Sequence, residues 1–515
     1  MRTTRLTRSR RCKFGFFFRA FVAFALLGAT STAFASEPPS DEPIEFDEFE
    51  QNEELDDEEE REQSLFGALL RSAAEAINPI KERVATEDEF FWQDAEDGSG
   101  VVLARVKDSS EFVDEVVLPR RIGGKDVVEI GAGAFGGCSS LLRLTLPEGV
   151  KKIGPNAFSL CRYLFFVELP DGLETIDEVA FANCASLTRL TLPESLTTIG
   201  DCAFFACPSL EEIVASPKSA HFKNIKGALF SKNGDVLIAV PAGRRVQTFV
   251  APDGVKEIAN GAFHSCRFLK TAKLPEGLEK IGALAFADCA SLSKLVLPES
   301  LKSIGYCAFQ NCRSLESVEL PETLEVVGLR AFSNCASLTS ATIPERVKEI
   351  GASAFDGCLA LKEIKASPKN PWFKEIDGVL FSKSGDLLVA YPPGCAEEAY
   401  VVPEGVERIG EGAFGGATAL KNATLPETLK EIGLCAFSRC ASLETLTIPE
   451  GVVKIDAGAF SLCKSLETVD LPKSLKEIGE DAFGFAPDCV FRVVSGSYAE
   501  RWARENSFRF ATRDE

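Results

Sequence analysis

LPEGVKKIGPNAFSLCRYLFFVE, Leu146 to Glu168, is one copy of a pattern that returns every 23 residues from about Val117 to Ala486. An Ala-Phe pair marks each copy, with the phenylalanines at 135, 158, 181, 204, 263, 286, 309, 332, 355, 414, 437, 460 and 483, which makes thirteen. A single copy cannot bury its own apolar face, whereas stacked copies can. The expectation is therefore a long rod or arc wound around one continuous core.

The copy from Cys161 to Cys184 shows how each turn is built. Leu164, Val167 and Leu169 alternate as in a short strand, and Pro170 ends it because proline cannot donate to a ladder. Leu173 and Ile176 begin a second extended stretch. Ala180, Phe181 and Cys184 then point inward from a tight helical or 3₁₀ turn. Phe158, Phe181, Phe286, Phe309 and Phe332 are expected to form a buried spine, each ring against the next. A fixed period of 20 to 30 residues with recurring Leu and Ile is the mark of a leucine-rich solenoid. The fold class is thus a β-rich, leucine-rich repeat solenoid. It is read as a right-handed coil of about thirteen 23-residue repeats over 117–496, with short parallel strands, helical or 3₁₀ turns, two inserts and terminal caps.

Three residues after the Phe stands a second column, including Cys161, Cys184, Cys289, Cys312 and Cys335. Eleven repeats carry Cys there, and Ala417 and Ala486 fill the slot in the other two. The exchange for Ala points to a small buried apolar residue. Strands about 4.8 Å apart would permit disulfides on distance alone, but a regular ladder would have to leave some thiols out. Free buried thiols are the preferred reading. Cys202, Cys307 and Cys435 lie several repeats apart, and no CxxC pair or neighbouring His completes a zinc set.

The period breaks twice. Pro193 to Pro252 and Pro344 to Pro403 each span 59 residues, so each gap adds 36. The inserts, near 215–250 and 366–401, are copies of one another. LFSKNGDVLIAV reads as strand, Asn233-Gly234 turn and strand. An elongated structural unit is preferred over a protruding contact loop. His221 stands where the second copy has Trp372, which argues against a catalytic histidine.

The ends are different material. Residues 1–35 carry a basic start, an apolar stretch and Ala33-Phe34-Ala35, which together read as a signal peptide cleaved after Ala35. The apolar run is short for a membrane span, and no other stretch is long enough. Arg10-Arg11 loosely resembles a twin-arginine export signal, a route that would carry the thiols out already folded. Residues 36–63 hold fifteen acidic residues and one basic, a composition that reads as a disordered acidic linker. The whole chain has a net charge of −21, and loss of seven basic residues with the signal leaves −28. Residues 64–116 read as a cap made of a short helix (Ser64 to Val84) and a strand-rich segment with an Asp97-Gly98 turn. Residues 497–515 read as a cap helix and tail.

The run LPxxLxxIGxxAFxxCxxL, the insert DGVLFSKSGDLLVAYP, the opening VVLPRRIGGKDVVEIGAGAF and the closing SGSYAERWAREN resemble the BspA-like leucine-rich repeat family of bacterial surface and secreted proteins. The resemblance covers roughly Phe90 to Phe510. It implies adhesion or recognition of matrix proteins, cells or glycans, and it brings no shared catalytic residues.

The residues themselves offer no enzyme constellation. His221 and His264 are the only histidines, and His264 occupies a variable turn position read as solvent-facing. There is no GxSxG, P-loop or HExxH. An enzyme, a cofactor or a metal is not expected, nor is nucleic acid as a partner of so acidic a chain. The expected function is an exported recognition or adhesion protein, secreted, periplasmic or on the cell surface, that binds a protein or glycan on a cell or matrix surface. The alternative is an architectural spacer of the envelope. The candidate partner-binding residues are Phe165, Phe166, Glu168, Arg189, Lys270, Lys273 and Lys294. The two phenylalanines stand where other repeats place polar residues, and a cap packing over them explains them equally well.

Overall fold

The computed structural model describes residues 82–514 except Ser110, Glu111, Val113 and Pro487. The expected signal peptide, the acidic linker and most of the N-terminal helix fall outside the described residues.

Each coil has three sides. On the first, a short strand such as Phe166–Glu168 pairs parallel with Leu141–Thr145 of the coil before it. On the second, the two-residue strand Thr175–Ile176 pairs parallel with Lys152–Ile153 and Thr198–Ile199. Proline and the following turn separate the two sides. The second column holds sixteen coils rather than thirteen, because Val101–Val106, Val236–Ala239 and Leu387–Ala390 each add one.

The third side carries the Phe, and it departs from the expectation of helical or 3₁₀ turns. Backbone donors there alternate in direction. Phe158 N–H reaches forward to Ala180 O (2.8 Å) and Leu160 N–H to Ala182 O (2.8 Å), while Ala157 and Cys161 bond back three residues. Half of the donors are thus spent on the next coil, which no continuous helix permits. The alternation needs a left-handed residue two before and two after every Phe, and all thirteen repeats have one at each place. Seven of these are glycines. The rest carry side chains, including Leu160 (φ 65°) and the β-branched Val179 (φ 51°), where strain of about 1–2 kcal/mol is expected.

The Phe column forms the expected spine. Phe158, Phe181, Phe286, Phe309 and Phe332 are fully buried. Phe286, Phe309 and Phe332 stack at 5.3 and 5.2 Å, with rings within 13° of parallel. The cysteines do more than fill space. Cys161 Sγ–H donates to Phe135 O (3.1 Å), and Cys184, Cys289, Cys312 and Cys335 repeat the bond at 3.1–3.2 Å to the Phe of the preceding coil. The slot therefore suits a small residue with a weak donor, which Ala417 and Ala486 lack. The sixteen described cysteines are free. Burial pushes the Cys138 thiol up to about 11 and the Cys207 thiol up to about 12, so the thiols stay protonated and unreactive at neutral pH.

The core is not continuous. The apolar side chains fall into three clusters that meet at the inserts. Each insert has three strands: Phe222–Ile225, Ala228–Ser231 and Val236–Ala239 in the first, and Phe373–Ile376, Val379–Ser382 and Leu387–Ala390 in the second. The expected hairpin around Gly234 (φ 88°) forms, and each insert adds a tight turn, at Lys226-Gly227 and Asp377-Gly378, where both residues have positive φ. Because strand side chains alternate, the first insert gives Phe230 to one core and Leu229 to the other. The second gives Leu380 to one and Phe381 to the other. Each insert is a two-faced wall. Its last strand pairs parallel with the next coil (Leu237↔Ile258, Leu388↔Ile409), as an elongated structural unit should.

The ends close the spine. Phe90 and Phe112 extend it N-terminally, with 5.5 Å between them and 5.5 Å from Phe112 to Phe135. Glu82–Val84, placed at the end of a helix by the sequence, is a strand paired with Asp114–Val117. At the other end the helix Tyr498–Glu505 forms as expected, with Ser497 accepting from Glu500 N–H. Trp502 packs on Phe483 and Phe491. The expected tail is instead the strand Arg509–Arg513, paired parallel with Val490–Val494.

Candidate interaction surface

On the first strand side the register aligns Arg143 with Phe166, and position 189 follows one coil later. The Arg143 guanidinium lies 5.1 Å from the Phe165 ring and 5.2 Å from the Phe166 ring, both within cation–π range. Phe165 is half-buried and Phe166 is 38% exposed. The stack is thus made by the neighbouring strand rather than by a cap lying over the two rings. Arg143 Nε is buried without a hydrogen-bond partner, and Glu115 lies 3.9 Å from the guanidinium. Glu168 accepts from Thr145 Oγ1 (3.4 Å), and Arg189 pairs with Glu212 (3.3 Å). Tyr163, at the start of the same coil, is 61% exposed.

Lys270, Lys273 and Lys294 belong to a second group beyond the first insert. Thr271 aligns with Lys294 and Lys273 with Val296 in a sheet of three short strands. Arg245 sits 5.3 Å from the Phe268 ring beside them. The lysines are expected candidates from the sequence, whereas Arg143, Tyr163, Arg245 and Phe268 join them only in the structure. Tyr163 and Phe268 stand in the slot that most repeats fill with Ser, a substitution visible in CRYL and CRFL against CASL.

His264 is buried rather than solvent-facing. Its ring packs on Phe205 with centroids 3.8 Å apart. Nδ1 bonds to Ser265 Oγ (2.9 Å), and Nε2 lies 3.3 Å from Asp288 Oδ2. Burial pushes the Asp288 carboxyl up, but hydrogen bonds from His264 and Asn311 and the charge of Arg267 hold it below the usual range. From Asp288 a line of side chains continues through Asn311 (2.8 Å) and Asn334 (3.0 Å) to Arg439, which also holds Asp356. The line runs from the first insert to the second.

Beside His264 the coils before and after the first insert stand apart around a cavity of about 310 Å³. Asp201, Glu257, Ser231 and Asn260 contribute polar groups, and Phe204, Leu210, Ile213 and Ile238 contribute apolar wall. Among the described residues no group of His, Cys, Asp and Glu is placed to hold a metal ion, and no helix is long and apolar enough to cross a membrane.

Stacked parallel coils, a buried aromatic spine and a solvent-facing strand side define a leucine-rich repeat solenoid. The chain belongs to the BspA type leucine rich repeat family, whose pattern matches residues 122–236, 242–387 and 393–489. Among solved structures it is similar to a leucine-rich repeat protein from Bacteroides ovatus, at 26% identity over 83% of this chain and 99% of that one (TM-score 0.38). It is also similar to a leucine rich cell surface protein from Faecalibacterium prausnitzii, at 23% identity over 81% and 96% (TM-score 0.40). The pneumococcal vaccine antigen PcpA matches at 21% identity over 84% and 89% (TM-score 0.43). No curated protein matches the chain.

Proposed function

We propose that this is an exported, non-enzymatic recognition protein that binds a protein or glycan on a cell or matrix surface through its strand side. The observation that carries the reading is the Arg143–Phe165–Phe166 stack. It holds an aromatic ring and a cation rigidly at the surface, the residue types that dominate binding hot spots. A cell-surface role for the F. prausnitzii relative agrees with it. The test compares the mature chain with a Phe165→Ser/Phe166→Ser variant on arrays of matrix proteins and glycans. Loss of a signal seen with the parent places the contact on this stack, and an unchanged signal removes it.

A spacer role is the second reading. It is favoured by Lys280–Glu257, Lys302–Glu279, Lys348–Glu325 and Lys430–Glu407, which pair neighbouring coils at 2.6–2.7 Å and spend surface charge within the chain. Binding to no array component, by parent and variant alike, favours it.

A further inference from the structure

We propose that the cavity at the first insert binds a small molecule with an apolar body and a cationic, ammonium-type head. This inference is independent of the strand side.

The cavity has a structural cause. At the second insert the flanking coils are joined by Ser353 N–H to Glu411 O (3.1 Å) and by Gly357 N–H to Gly415 O (3.2 Å). The corresponding residues 151 positions earlier are Cys202 with Asn260 and Ala206 with His264. Neither of those two bonds forms among the described residues. The reason is bulk. Where the second joint has Asp356 and Gly415, the first has the packed rings of Phe205 and His264. A Cβ at Gly415 would meet Asp356 Oδ1 at 2.4 Å, so a side chain there forces the Asp356 carboxylate to move. The two rings wedge the first joint open. Phe204 stacks loosely on Phe181 at 6.3 Å and is only half-buried.

The opened space has the size and lining of a ligand site. Its volume is at the lower end of the usual range of about 300–1,000 Å³. Phe204, Leu210 and Ile238 supply apolar wall for a short hydrocarbon or aryl body. The charged lining is acidic, with Asp201 and Glu257 present and no lysine or arginine. Glu257 is held by Lys280 at 2.6 Å. The Asp201 carboxylate has no hydrogen bond or ion pair among the described residues and is the uncommitted charge. The field it sets up is felt inside: burial, then the charges of Asp201 and Glu178, push the Cys202 thiol up to about 12. A bound anion would meet that field as a cost, and a bound ammonium as a gain.

The experiment uses the mature chain and three probes with one hydrocarbon body: hexylamine, 1-hexanol and hexanoate, measured by calorimetric titration. The expected result is that hexylamine binds tightest, at least about tenfold tighter than hexanoate. Asp201→Asn should bring hexylamine down to the level of hexanol while leaving hexanol unchanged. Ile238→Trp, which fills the space, should abolish binding of all three. Phe205→Asp/His264→Gly, which installs the residues of the closed joint, should do the same and serves if Ile238→Trp does not fold. Failure of all three probes to bind overturns the proposal. So does equal binding of amine and carboxylate, or amine binding that survives filling or closing the joint.

Discussion

The two inserts are copies of one another, yet they are fastened differently. In the second, Asn370 is fully buried, donates to Pro344 O and Val347 O, and accepts from Trp372 and Phe373 N–H. In the first, the same position is Ser219, which only accepts, from His221 and Phe222 N–H. The first insert is tied instead by Asn224, which accepts from Ala215 N–H and donates to Ile213 O. In the second, Arg439 reaches back to Asp356, and Tyr391 stacks 4.9 Å from Phe414, so a ring begins the third core. The first has Val240 there and an open joint. The same backbone plan gives either a sealed seam or a cavity, and a few side chains decide which.

The largest expected effect separates regular coils from the open joint. Phe309→Ala, deep in the stacked spine, should cost about 3–5 kcal/mol. Phe204→Ala should cost about 1–2 kcal/mol, because its ring is only half-buried. Urea unfolding of both variants measures the pair, and equal costs would mean that Phe204 is packed as tightly as Phe309. Next, Asn370→Ala strands two carbonyls and two N–H groups and should cost about 3 kcal/mol, against about 1 kcal/mol for Ser219→Ala. Thermal unfolding reads that difference, and a reversed order breaks the account of how the inserts are fastened. Gly415→His should then cost about 1–3 kcal/mol by forcing the closed joint apart, measured the same way.

A smaller effect per group is shared by coils at the first joint and far from it. Folded thiols are held at about 11 for Cys138 and about 12 for Cys202, Cys207 and Cys463, above an ordinary value of 9.0. The unfolded chain therefore gives up these protons first. The contribution of the thiols to stability is intact below pH 9 and is lost as pH rises from 9 toward 12. The melting temperature should be insensitive to the thiols near neutral pH and fall in that alkaline window. A disulfide-linked ladder would show no such fall.

What was legible in the sequence was whatever repeats. The Phe and Cys columns, the strand positions, the hairpin at Asn233-Gly234 and the helix after Ser497 all follow from spacing and local chemistry. The turn geometry was hidden, because the left-handed positions are filled by residues such as Leu160, Val179 and Arg330 rather than by a periodic glycine. The burial of His264 was hidden too. Its slot holds Ser, Gly, Ala, Gln, Asp and, at 205, Phe in other repeats and reads as solvent, yet Ser333 and Asp356 in the same slot are also buried, between coils. The open joint depends on Phe205 meeting His264 across 59 residues, a pairing no local pattern announces. Of the candidate site, Phe165 and Phe166 were visible as exceptions to a polar column. Arg143, which makes them a stack, was not, because a lone arginine on a strand is ordinary.

The comparison is tested most directly by hydrogen exchange at four backbone amides. Ser353 and Gly357 N–H are bonded across the second joint, while their counterparts at Cys202 and Ala206 have no such bond across the first. The account predicts slow exchange at Ser353 and Gly357 and exchange faster by orders of magnitude at Cys202 and Ala206. Equal protection at all four would contradict it.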